Sequence, residues 1–154
     1  MKIQLKPLVV SLLISLGVGG IASILTSGSY SIYENLSKPP LSPPGFIFPI
    51  VWIILYILMG ISAYLIYISN SDEKNLALKF YAVSLVVNFF WPIFFFKFGL
   101  FWLAFFWLLL LIFIVAVTLI LFKKINPTAA RLLVPYLIWI LFAAYLNLFT
   151  AILN

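Results

Sequence analysis

Apolar residues in this chain gather into five runs, each close to the roughly 20 residues a helix needs to cross a bilayer, and short polar or proline-bearing breaks divide them. The predicted spans are about 7–27, 46–69, 76–97, 100–122 and 129–153. Between the first two lies a loop, 28–45, with a short turn expected at Tyr33-Glu34-Asn35-Leu36. Asn70 to Asn75 is a polar loop whose Asn, Ser and Asp side chains suit a helix N-cap. Gly99 marks a very tight turn, and Lys123 to Thr128 separates the last two spans. The halves show no repeat and there is no low-complexity tail. The expected fold class is an all-α integral membrane protein, a five-transmembrane-helix bundle forming one domain over 1–154.

Five of the nine prolines fall between Pro39 and Pro49. Proline fixes φ and removes a backbone donor, so Lys38 to Gly45 is neither ordinary helix nor sheet. A stiff, extended, water-exposed segment is expected there, and it leads directly into an aromatic helix bearing Phe46, Phe48 and Trp52. Such a segment is placed to cover a cavity.

Composition narrows the solvent. With 66% hydrophobic and 8% charged residues, the chain is far from soluble proteins, where about a quarter of residues are charged. The basic first residues and Ser27-Gly28-Ser29 resemble a cleavable signal peptide. The first apolar run is longer than such a peptide requires, however, and four more follow, so it reads as a retained helix. The net charge of +6 sets orientation and lipid contact, and no basic run with interleaved polar groups points to nucleic acid. Lys2, Lys6, Lys74, Lys79, Lys123, Lys124 and Arg131 fall on one side, Lys38 and Lys97 on the other. This asymmetry predicts the N-terminus inside and the C-terminus outside.

Cysteine and histidine are absent. That excludes disulfides, thiol redox chemistry, Cys/His zinc sites and histidine acid–base catalysis. No carboxylate lies within a span, which disfavours a proton-driven pump, and a serine nucleophile would lack its base. The sequence therefore offers no hydrolytic or metal-dependent site.

Polar groups inside the spans are few. Asn88 and Asn147 suit interhelical hydrogen bonding, or ligand contact. Trp102 suits the interfacial belt, whereas Trp52, Trp91 and Trp139 lie two to three turns in. At that depth indoles either pack between helices or line a pocket for a flat ligand. Trp52 with Tyr56, Trp91 with Phe95, and Trp139 with Ala143 are i, i+4 pairs that share a face. Pro92 and Pro135 each free a carbonyl and bend their helices. Gly17, Gly20 and Ser23, and Gly60 with Ala63, have the small-residue spacing of close helix packing or a dimer.

Two motifs then stand out. The first is Lys38-Pro39 through Pro43-Pro44-Gly45, with Phe48, Val51-Trp52, Leu55-Tyr56 and Met59-Gly60. The second is Ala129-Ala130-Arg131-Leu132-Leu133, Pro135-Tyr136-Leu137, Trp139, Phe142-Ala143 and Leu146-Asn147. Between them stand Asn88, Trp91-Pro92 and Phe95-Phe96. From about Tyr33 to Asn154 the chain resembles the TspO/MBR family (translocator protein, tryptophan-rich sensory protein, peripheral-type benzodiazepine receptor) in a bacterial-type form.

The resemblance implies a five-helix bundle whose cavity binds tetrapyrroles and, in some members, sterols or benzodiazepine-type drugs. It implies ligand contacts at Trp52, Tyr56, Asn88, Trp91, Phe95, Trp139, Ala143 and Leu146. The lid would be built from Pro39, Pro40, Pro43, Pro44 and Gly45. It further implies a homodimer in a bacterial cell membrane. The expected ligand is a porphyrin, protoporphyrin or haem, with no cofactor required. Leu41 replaces the tryptophan usual in the loop, and Trp107 stands where many members have an acid. Leu148 and Ile152 break the sterol-recognition pattern, which makes cholesterol a poor candidate.

Four readings follow: a receptor or carrier for porphyrin-like ligands, a light-dependent porphyrin-degrading enzyme with Trp52 or Trp139 as the redox-active indole, a passive transporter of tetrapyrroles or lipids, and a structural partner without ligand.

Overall fold

The structure, a computed structural model, describes residues 2–29 and 33–154; residues 30–32 of the predicted loop lie outside the described residues. Five helices are long and apolar enough to cross a membrane: α1 Leu5–Thr26, α2 Ile47–Tyr67, α3 Lys74–Pro92 with a π-helical extension Ile93–Lys97, α4 Phe101–Ile125 and α5 Pro127–Leu153. All regular structure among the described residues is helical. The helices close a ring in the order α1, α2, α5, α4, α3, and the α1–α3 seam is its most loosely packed neighbour pair.

α1 shows how lipid as solvent changes the usual burial logic. Its buried residues are Ser15, Ala22 and Thr26, while Leu13, Ile14, Ile21 and Ile24 are exposed. Lipid tails are as apolar as leucine, so burying large side chains brings little gain, and small or polar residues face the neighbouring helix instead. Three hydrogen bonds join α1 to α2 in antiparallel order. The Gln4 N–H donates to Tyr64 Oη at 2.7 Å, Ser11 Oγ to the Gly60 carbonyl at 2.7 Å, and Ser15 Oγ to the Tyr56 carbonyl at 2.8 Å.

Close approach along this seam depends on Gly60 and Gly19. A Cβ on Gly60 would stand 3.1 Å from the Leu12 Cα and 2.9 Å from Ser15 Oγ, and one on Gly19 would strike the Tyr56 ring. Of the glycines singled out by spacing, Gly60 makes this close approach, whereas Gly17 and Gly20 have nothing within 4 Å of such a Cβ. Gly19 escaped the spacing rule because its contact is an aromatic ring and not a second small residue.

Local chemistry sets the helix ends. Pro92 cannot donate to the ladder, and the chain behind it widens into a π turn, with the Phe98 N–H reaching the Ile93 carbonyl at 3.1 Å. Gly99, at φ +64, turns the chain into α4, a conformation that costs glycine little. The predicted six-residue break before the last span is in fact one residue, Asn126. Its side chain accepts from the N–H groups of Thr128 at 3.0 Å and Ala129 at 3.4 Å, with Pro127 at the first helical position, a favourable start. Lys123 and Lys124 occupy the last turn of α4, where cations complement the helix dipole. The Asn, Ser or Asp cap expected for α3 is absent: Glu73 stands at that position without a side-chain cap bond.

Between α1 and α2, the Leu36 N–H returns to the Tyr33 carbonyl at 3.1 Å, and residues 35–46 are turns and extended backbone. Pro39 and Gly45 are buried, whereas Pro40 and Pro44 are exposed. Leu41 adopts φ +70 with its side chain 82% exposed.

Candidate functional site

A cavity of about 190 Å³ opens between α1, α2 and α3. Its aromatic walls are Phe48, Trp52 and Tyr56 from α2, with Trp91 and Phe96 from α3 and its extension. Gly19, Gly20, Ser23 and Thr26 make the α1 side, so the small residues of α1 leave room there. Trp52 and Tyr56 lie one above the other at 5.6 Å and 30°, as their i, i+4 spacing requires. Trp91 stacks on Phe95 at 5.4 Å.

Four of the residues expected at a ligand site line this cavity: Trp52, Tyr56, Asn88 and Trp91. Phe95, Ala143 and Leu146 do not. They line a void of about 10 Å³ behind it, which shares Phe48, Trp91 and Phe96 with the larger space. Trp139 lines neither. It packs edge-on against Phe48 at 5.9 Å and Trp52 at 6.5 Å, and its buried indole N–H has no hydrogen-bond partner.

The two asparagines divide between the roles open to them. Asn147 accepts from the Trp91 indole at 3.0 Å and donates to the Phe101 carbonyl at 2.8 Å, tying α5 to α3 and α4. Asn88 is 1% exposed and lines the cavity, yet its amide nitrogen makes no hydrogen bond. An unpaired buried amide costs about 1–3 kcal/mol, and a ligand acceptor would remove that cost. The hydroxyls of Tyr81 and Tyr136, close by in the core, also lack a well-formed bond. Trp107 is committed elsewhere, donating from its indole to the Val87 carbonyl at 2.6 Å.

Residues 33–46 meet the cavity wall through Tyr33. Its ring is 2% exposed and packs edge-on against Phe48 at 5.2 Å and Phe96 at 5.9 Å. Burial, and then the neighbouring Glu34 charge, push its phenol above the ordinary value, opposed by Ser42. Glu34 Oε1 accepts from the Gly45 N–H at 2.9 Å, and its carboxylate lies 3.9 Å from Lys38 Nζ. Lys38 sits over the Tyr33 ring at 4.5 Å. Two contacts reach α5: Tyr145 Oη donates to the Pro40 carbonyl at 2.6 Å, and the Asn154 amide donates to the Ser37 carbonyl at 2.8 Å while accepting from the Ser37 N–H at 3.2 Å.

Sequence reasoning missed Tyr33, Phe96 and the α1 residues Gly19, Ser23 and Thr26 as site residues. The run Gly19-Gly20 to Ser23 was legible as small, but nothing in it distinguishes a packing seam from a cavity wall.

The sequence profile of the TspO/MBR family matches residues 9–153. The chain is 33% identical over 150 residues to the tryptophan-rich protein TspO of Chlorobaculum tepidum, covering 96% of this chain and 95% of the relative. It is 41% identical over 118 residues to the translocator protein of Ovis aries, covering 75% and 70%. Protein CrtK of Rhodobacter capsulatus is 38% identical over 136 residues, covering 84% and 81%. With five apolar helices and a profile match over nearly its whole length, this chain is a multi-pass integral membrane protein and belongs to the TspO/MBR family.

Proposed function

We propose that the protein is a membrane receptor or carrier for porphyrins and similar flat hydrophobic ligands, held in the cavity between α1, α2 and α3. The observation that carries this reading is the Asn88 amide, buried without a partner in a cavity walled by Phe48, Trp52, Tyr56, Trp91 and Phe96. Aromatic walls suit a planar macrocycle, and one unpaired donor suits an acceptor on its edge. Lacking His and Cys, the chain offers iron no strong axial ligand, so free-base protoporphyrin binds about as well as haem.

At about 190 Å³ the space is below the roughly 300–1,000 Å³ of sites that enclose a drug-sized ligand. Binding therefore requires the cavity to widen, and residues 33–46, whose Tyr33 packs on the wall residues Phe48 and Phe96, are the segment we assign as the lid. The Lys/Arg asymmetry supports an N-terminus inside and this lid outside.

The test is titration of purified protein with protoporphyrin, read by tryptophan fluorescence. Saturable quenching is expected, weakened about fivefold or more in Asn88→Leu, the effect of losing one hydrogen bond to a desolvated group. Absence of saturable quenching, or binding only when iron is present, defeats the proposal.

One observation favours light-dependent porphyrin degradation as a second reading. Trp52 lines the cavity and touches Trp139 edge-on at 6.5 Å, so two oxidisable rings stand in line beside the ligand space. Porphyrin loss under light that continues unchanged in a Trp52→Phe, Trp139→Phe double variant rules it out.

A further inference from the structure

A second, larger groove of about 560 Å³ lies on the same loosely packed α1–α3 seam, toward the opposite end of the bundle. Its walls are Pro7, Val10 and Ile14 of α1 with Leu78, Ala82 and Leu85 of α3, and Tyr81 is buried in its floor. Along α1, Ser15, bonded to the Tyr56 carbonyl, falls between the residues lining this groove and those lining the aromatic cavity. The groove runs from Lys6 to Ile14, about 12 Å of helix at 1.5 Å per residue. Its volume is within the roughly 300–1,000 Å³ of ordinary ligand sites.

One end of this apolar trough is charged. Lys6 lines it, is exposed, and has no carboxylate partner among the described residues. Lys74, at the same end, has its amine held by the Tyr67 and Ser69 carbonyls at 3.0 and 3.2 Å. The acids of this end, Asp72 and Glu73, lie outside the groove lining. An apolar slot capped by one unpaired ammonium, at a helix end where the bilayer surface meets water, matches an acyl chain that carries an anionic head.

We propose that this groove is a binding site for one anionic phospholipid of the surrounding bilayer, with an acyl chain along α1 and α3 and its headgroup phosphate on Lys6. This site is independent of the porphyrin reading. It differs from general attraction of anionic lipid to a basic surface because Lys6 borders the slot, whereas Lys79, exposed on α3, does not.

The test is native mass spectrometry of delipidated full-length protein titrated with phosphatidylglycerol or with phosphatidylcholine of the same chains. One retained phosphatidylglycerol per chain is expected, held in preference to phosphatidylcholine. Lys6→Gln weakens retention about fivefold, the loss expected for one interfacial basic group, whereas Lys79→Gln leaves it unchanged. Ala82→Trp fills the groove from its lipid-exposed wall and abolishes retention, and Val10→Trp does the same from α1. Equal retention of the two lipids overturns the proposal, as does an equal effect of Lys6→Gln and Lys79→Gln. So does a groove-filling variant that binds normally, or one that splits a dimer without changing lipid retention, since a second copy of the chain would then be the occupant.

Discussion

The indole N–H of Trp91 donates to Asn147 Oδ1 at 3.0 Å, and this bond holds one wall of the aromatic cavity against α5. Because Asn147 also donates to the Phe101 carbonyl, one side chain connects three helices. Losing it leaves the buried Trp91 indole donor unpaired and unties α5 from the Phe101 carbonyl. Asn147→Leu is therefore expected to destabilise the bundle by about 1–3 kcal/mol, read as a lower melting temperature in detergent. Asn88→Leu removes a donor that has no partner in the structure and leaves stability unchanged or higher while weakening ligand binding. The reverse order of the two melting temperatures would contradict this division of roles.

Gly60 tests the α1–α2 seam. An added Cβ meets the Leu12 backbone at 3.1 Å, and backbone cannot swing aside as a side-chain end can. Gly60→Ala is expected to cost about 1–3 kcal/mol, as overpacking does in other well-packed sites. Gly17→Ala meets open space and is neutral or stabilising by up to about 1 kcal/mol through helix propensity. Thermal melts of the two variants, run side by side, check the contrast.

The two contacts from α5 to residues 37–40 set how readily that segment lifts. Tyr145→Phe removes the 2.6 Å bond to the Pro40 carbonyl, worth about 1 kcal/mol, and Asn154→Ala removes both bonds to Ser37. Porphyrin association and dissociation should each quicken about fivefold in Tyr145→Phe, with little change in Kd. Unchanged stopped-flow rates would show that entry does not pass this segment.

Tyr33 makes the same movement sensitive to alkali. Its phenol is held above the ordinary value, chiefly by burial, so the packed state favours the protonated ring. That preference is fully present below the ordinary tyrosine pKa of about 10 and is lost as pH rises through the raised value. Hydrogen exchange of residues 33–46 is expected to accelerate above about pH 10 beyond its intrinsic base dependence, and Tyr33→Phe should remove the excess.

Much of this architecture follows from the sequence through short-range rules. Five runs of apolar residues near the bilayer length specify five helices in any arrangement. Asn126-Pro127 and Gly99 mark helix boundaries by local backbone chemistry, although the break at Asn126 is shorter than its composition suggests. The i, i+4 pair Trp52 and Tyr56 share a wall because helix geometry alone demands it.

Which residues meet across helices was decided by tertiary structure. Gly17, Gly19 and Gly20 are indistinguishable as letters, yet only Gly19 touches Tyr56. Asn88 and Asn147 are equally polar and equally buried, yet one bonds to two other helices and the amide nitrogen of the other, beside a cavity, has no partner. In water the hydrophobic pattern tells inside from outside. In lipid both sides of a helix meet apolar surroundings, so hydropathy carries no such information, and only the packed bundle shows where the space lies.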